Sequence, residues 1–140
     1  MKIAVINGPN LNMLGVRKKE IYGTESLQAI NREIVERFPK TEFVFFQSNH
    51  EGALIDYIQT TDADGVVLNA GAYTHYSIAI RDAIESRHPL RVVEVHLSDV
   101  NNREDFRKVS VIRDVCVATY AGYGKESYMK GIAYLLEGKE

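Results

Sequence analysis

Val66-Val67-Leu68-Asn69-Ala70-Gly71-Ala72-Tyr73-Thr74-His75 is the stretch that decides how this chain folds. Three consecutive branched apolar residues with no polar alternate describe a strand buried on both faces, as in a parallel sheet. Asn69-Ala70-Gly71 breaks the run. Ile78, Ala79, Ala83 and Ile84 then recur at helical spacing before Pro89, which predicts a helix over about 75–87.

The same alternation extends in both directions. Ile3-Ala4-Val5-Ile6, Phe43-Val44-Phe45-Phe46, Val92-Val93-Glu94-Val95 and Val115-Cys116-Val117-Ala118 read as further buried strands. A helix over about 25–38 is marked by Leu27, Ile30, Ile34, Val35 and Phe38, and Pro39 stops it. Another, over about 51–61, carries Leu54, Ile55 and Ile58, with Ser48-Asn49-His50-Glu51 as a capping box at its start. The last, over about 126–137, carries Met129, Ile132, Ala133 and Leu136. Strand–helix alternation kept up along residues 1–140 predicts one α/β domain. Its architecture is a flavodoxin-like, doubly wound five-stranded parallel sheet of order 2-1-3-4-5 with helices on both faces. Residues 8–23 are irregular and longer than an ordinary βα loop, hence expected to form a lid.

Composition narrows the function. The 140 residues are 45% hydrophobic and 26% charged, a globular balance. Seventeen Lys+Arg against 19 Asp+Glu give a net charge of -2, which argues against a nucleic-acid partner. No apolar run approaches the roughly 18 residues of a membrane span, and Met1-Lys2 before Ile3–Ile6 is too short for a signal peptide. The one cysteine, Cys116, provides neither an internal disulfide nor a thiolate metal cluster. The expectation is a soluble cytoplasmic domain with no membrane contact.

In an open parallel sheet, ligands bind beyond the carboxyl ends of the strands. Here those ends read Asn7-Gly8-Pro9-Asn10, Gln47-Ser48-Asn49-His50, Asn69-Ala70-Gly71, His96-Leu97-Ser98-Asp99 and Ala121-Gly122-Tyr123-Gly124. Polar groups converging on one edge suit a small hydroxyl-rich or anionic molecule. Glu94 and His96 point to the same side of their strand, so the carboxylate can orient the imidazole for acid–base work, or else be a satisfied buried carboxylate. His75 and Asp82, seven residues apart on the expected helix, are candidates to share one face, although Asn69 as a turn cap and His75 as a surface residue is an equal reading. His50 and His88 have no such context. In the lid, Arg17 and Tyr22 form a functional pair only if they meet. A tyrosine pKa lies near 10, and a guanidinium within about 4–6 Å favours the phenolate.

These residues together resemble the type II 3-dehydroquinate dehydratases. The likeness is carried by Asn7-Gly8-Pro9-Asn10-Leu11 with Arg17 and Ile21-Tyr22-Gly23, and by Gln47-Ser48-Asn49-His50-Glu51-Gly52. It continues through Asn69-Ala70-Gly71-Ala72-Tyr73-Thr74-His75 with Arg81-Asp82-Ala83, and through Glu94-Val95-His96-Leu97-Ser98 with Arg103-Glu104-Asp105-Phe106-Arg107. The resemblance implies dehydration of 3-dehydroquinate to 3-dehydroshikimate, an anti elimination through an enolate, without metal or organic cofactor. It implies a place in the shikimate pathway of aromatic amino acid biosynthesis, although quinate catabolism uses the same reaction. It also implies a homododecamer, a tetramer of trimers. By motif position, Tyr22 would take the C2 proton, Arg17 would lower its pKa, and His96, backed by Glu94, would protonate the departing C1 hydroxyl. Asn10 would hold a water on the enolate oxygen. Asn69, His75, Leu97, Ser98 and Arg107 would bind substrate, with Asp82 completing the site, from a neighbouring subunit in one version.

Three positions depart from the family pattern: Lys18-Lys19 where Glu-Pro is common, Asp99 where Asn is usual, and Lys108-Val109 where His commonly follows Arg107. The first makes the lid more basic and less rigid. Two other functions compete. One is a non-enzymatic flavodoxin-like module binding a nucleotide or small anion, suggested by Gly122-Tyr123-Gly124-Lys125. The more distant one is a metal-dependent hydrolase using His75, Asp82, His96 and Asp99, whose spacing lacks the short pairs of a zinc or facial-triad site.

Overall fold

In the computed structural model, residues 1–16, 19–22 and 24–138 are described, with Lys19 and Tyr22 described by backbone alone. The strands are β1 (Lys2–Asn7), β2 (Glu42–Gln47), β3 (Gly65–Asn69), β4 (Arg91–His96) and β5 (Ala118–Ala121). They form one sheet in the order β2-β1-β3-β4-β5, parallel at every pairing. The helices are the short α1 (Lys19–Tyr22), α2 (Leu27–Arg37), α3 (Glu51–Thr60), α4 (Ile78–Ser86) and α5 (Glu126–Glu137).

Alternation along the strands builds two cores. Ile3, Val5, Val67, Val93 and Val95 face α2 and α5, meeting Leu27, Ile30, Ile34, Ile132 and Leu135. Ala4, Ile6, Val66, Leu68 and Val92 face α3 and α4, meeting Leu54, Ile58, Ile80 and Ile84. Both faces are covered, as a parallel sheet requires. The exceptions are β2 and β5, which are only half-buried because they lie at the sheet's two edges.

Four local expectations are corrected. The fifth strand starts at Ala118 and not at Val115, because residues 113–115 make a 3-10 turn and pairing with β4 begins at the Val93–Ala118 step. Val115 and Cys116 are apolar for a different reason, since they pack on the α3/α4 core. The capping box is not formed. His50 precedes α3 without a side-chain cap, the Ser48 hydroxyl accepts from the His50 N–H at 3.0 Å, and Glu51 accepts instead from the Ser77 hydroxyl. The helix expected over about 75–87 starts at Ile78. Residues 71–75 are a separate 3-10 turn, and Ser77 caps α4 through the Ile80 N–H at 3.0 Å. Finally, the 8–23 stretch is not irregular throughout. Residues 11–13 and 19–22 are helical, and Leu11 and Leu14 are buried in the core.

Among the described residues, no helix is long and apolar enough to cross a membrane.

Candidate active site

The carboxyl ends of β1, β3 and β4 enclose a cavity of about 110 Å³. The β1 exit contributes Pro9, Asn10 and Leu11, the β3 exit Asn69, Gly71, Ala72 and His75, and the β4 exit His96, Leu97, Ser98, Val100, Arg103 and Arg107. The β1 and β3 exits touch so closely that only glycine fits at position 8. The Gly8 N–H donates to the Asn69 carbonyl at 2.8 Å, and a Cβ there would sit 2.6 Å from the Ala70 carbonyl oxygen. Asn10 takes the left-handed conformation (φ 70°), which asparagine tolerates better than most residues, and its N–H donates to Asn49 Oδ1 at 2.9 Å.

Glu94 and His96 do share a face of β4, and both are buried. His96 Nε2 lies 2.6 Å from Glu94 Oε2. Glu94 also accepts from Ser110 Oγ (2.9 Å), Thr119 Oγ1 (3.2 Å) and Arg113 Nε (3.4 Å). Burial by itself pushes a carboxyl up. Here the His96 hydrogen bond and charge, the Arg113 charge and the Ser110 hydroxyl outweigh it and hold Glu94 below the usual carboxylate range. An ionised Glu94 only accepts, so Nε2 carries hydrogen and Nδ1 is left for a ligand.

His75 Nδ1 lies 2.7 Å from the Val109 carbonyl, an acceptor, so Nδ1 carries the hydrogen and Nε2 is free to accept. Burial lowers its pKa against that hydrogen bond, aided by the neighbouring His96 and Arg107. Asn69 is buried, with Oδ1 accepting from the Gly71 N–H at 3.1 Å. Arg107 Nε donates to Glu104 Oε1 at 3.1 Å, and its guanidinium stands 5.0 Å from the Phe106 ring centroid.

Asp82 is not in the cavity. It lies exposed on α4, and the break between His75 and α4 means that the two share no common helix face. Arg17 and the side chain of Tyr22 lie outside the described residues. Asn10, Asn69, His75, Glu94, His96, Leu97, Ser98 and Arg107 are brought together. Sequence reasoning passed over Arg103, which lines the same cavity and donates to Ser98 Oγ at 3.3 Å. Its signal was the first arginine of the Arg103-Glu104-Asp105-Phe106-Arg107 run. Asp99 is not a ligand here, since its carboxylate caps a 3-10 turn through the Asn101 N–H at 3.0 Å.

The Gly122–Lys125 loop is not a phosphate cradle. Two of its N–H donors are engaged by the protein itself: Tyr123 N–H on Ser127 Oγ (3.2 Å) and Gly124 N–H on the Leu97 carbonyl (3.0 Å). Gly122 also sits against acidic Asp99. Among the described residues, no three His, Cys, Asp or Glu side chains come together as a metal-binding set.

A histidine at a strand end, two arginines and several amide groups around a small cavity can bind a hydroxylated carboxylate and protonate a leaving group. The comparisons with known proteins point the same way. The family model described as dehydroquinase class II matches residues 1–136. A 3-dehydroquinate dehydratase of Chlorobaculum tepidum is 54% identical, over 96% of this chain and 93% of the relative. One of Fusobacterium nucleatum is 48% identical, over 98% and 97%. Among solved structures, a type II dehydroquinase from Butyrivibrio crossotus superposes with a TM-score of 0.94 at 49% identity, covering 97% of each chain. One from Propionibacterium acnes gives 0.91 at 34% identity, covering 97% and 96%.

Proposed function

The chain belongs to the class II dehydroquinases, and from that premise we propose how its cleft turns 3-dehydroquinate into 3-dehydroshikimate. The activity is that of a hydro-lyase, 3-dehydroquinate dehydratase, a reaction of the shikimate pathway. What carries the proposed mechanism is the buried Glu94–His96 pair, which opens into a cavity that also holds Asn69, His75 and Arg107.

Water leaves by an anti elimination in two steps. Tyr22, as phenolate beside Arg17, takes the C2 proton, and the electron pair moves onto the ketone oxygen as an enolate. Arg17 and a water held by Asn10 stabilise that charge. The enolate then collapses to the conjugated enone while the C1 hydroxyl departs, protonated by His96. Glu94 holds the imidazole in place and compensates its charge. Asn69, His75 and the Leu97–Ser98 segment bind hydroxyls, and Arg107 pairs with the substrate carboxylate. Ionised groups and amides supply every step, so the mechanism calls on no metal or organic cofactor.

The chain acts as one catalytic domain. It assembles as a dodecamer of four trimers, in which a neighbour's Asp82 completes the cleft. That assembly gives Asp82, remote from its own chain's cavity, a place in the chemistry. A cytoplasmic location is part of the same proposal, and fractionation of cells expressing the chain tests it.

The experiment is an absorbance assay for the enone on 3-dehydroquinate, with and without a chelator. Turnover insensitive to chelator is expected, with Tyr22→Phe folded but slowed at least a thousandfold, the scale on which loss of a catalytic base registers. A Tyr22→Phe variant within a few-fold of wild type dismisses the base.

A further inference from the structure

We propose that the Tyr128 hydroxyl is a positioning group for the cleft, setting the way the Asn69 amide meets the substrate. The mechanism above leaves this fully buried phenol unused. Asn7 and Asn69 are register partners on adjacent strands. Both continue the alternation of Val5 and Val67 and so face α5, where Tyr128 stands in the first turn of the helix. The Tyr128 O–H donates to Asn7 Oδ1 at 2.5 Å and accepts from Asn69 Nδ2 at 3.0 Å. Asn69 Oδ1 in turn accepts from the Gly71 N–H at 3.1 Å.

This chain has only one consistent polarity. Gly71 N–H is a donor, so the Asn69 oxygen must face it and the Asn69 nitrogen must face Tyr128. With its single hydrogen directed at Asn7, Tyr128 is obliged to accept from Asn69. Burial pushes the phenol up, so it keeps that hydrogen throughout the working pH range. One amide N–H and one oxygen lone pair of Asn69 remain for a ligand in the cavity that Asn69 lines. Without the hydroxyl, the buried Asn69 amide loses the partner on its nitrogen side and its orientation is less constrained. A substrate hydroxyl held equally before and during the reaction would then bind more weakly, with little change in the chemical step.

The inference rests on the dehydratase reading, and turnover by wild type alone shows whether that reading holds. Steady-state kinetics on 3-dehydroquinate are compared for wild type, Tyr128→Phe, Asn69→Ala and the double variant. Tyr128→Phe is expected to raise KM roughly tenfold with kcat within about twofold, the scale of one lost hydrogen bond. In the Asn69→Ala background the same change should leave KM within about twofold, because Tyr128 acts through Asn69. A Tyr128→Phe protein with lowered Tm but unchanged KM overturns the proposal, as does an equal KM rise in both backgrounds. If Tyr128→Phe does not fold, Asn7→Ala puts the same question by removing the acceptor that fixes the hydroxyl. A similar KM rise supports the proposal, and an unchanged KM overturns it.

Discussion

At Glu94, four donors converge on one carboxylate that has no exposure to solvent. Such a group stabilises the fold through its charge. Its pKa is lowered in the folded protein, so the contribution is complete above the ordinary value of 4.5 and is lost as pH falls through the folded value. Glu94→Gln should therefore cost about 1–3 kcal/mol near neutrality, where ion-assisted bonds are lost. The Tm gap to wild type should narrow steadily below pH 4.5, and a gap constant with pH would contradict this reading. The Glu94–His96 partnership was legible in the sequence because a two-residue alternation is a local rule. Ser110, Arg113 and Thr119 were not, since they reach Glu94 only after β5 and the loop before it have packed against β4. Arg103 was passed over although its charge sat in plain view beside Arg107.

At the level of elements, the approach of β1 to β3 places Asn10 next to Asn69 and His75. Gly8→Ala should test that closeness, because its Cβ meets backbone that cannot move aside. We expect a loss of about 1–3 kcal/mol by denaturant unfolding together with a raised KM, since the same contact shapes the cavity wall. An unaltered midpoint would show that the strand ends part without cost. Ser77→Ala removes the α4 cap and the partner of Glu51, and should cost about 1 kcal/mol while sparing kcat. The strands and helices were readable because buried runs and helical spacing are properties of consecutive residues. The start of β5 was misread because Val115 and Cys116 are apolar for packing against the α3/α4 core, which looks in sequence like strand burial. The capping box failed for a related reason: Glu51 has a better partner in Ser77, 26 residues away.

The whole molecule presents one sheet edge to a substrate, and its own chain does not supply Asp82 there. In the proposed trimer-based assembly, Asp82→Asn should lower kcat/KM at least tenfold, the size of one charge-assisted contact, with subunit Tm and assembly mass unchanged by light scattering. Full activity in that variant would remove Asp82 from the site. No periodicity in one chain says which faces meet in an assembly, so the proposed assembly rests on family likeness alone. The central claim is that base and acid are separate groups, with His96 as the acid. Proton NMR of 3-dehydroquinate in D2O tests it directly. His96→Ala should exchange the C2 proton for deuterium while forming almost no enone, because the enolate still arises but the C1 hydroxyl has no proton to leave with. Enone formation by His96→Ala at the wild-type rate, or no C2 exchange at all, would contradict it.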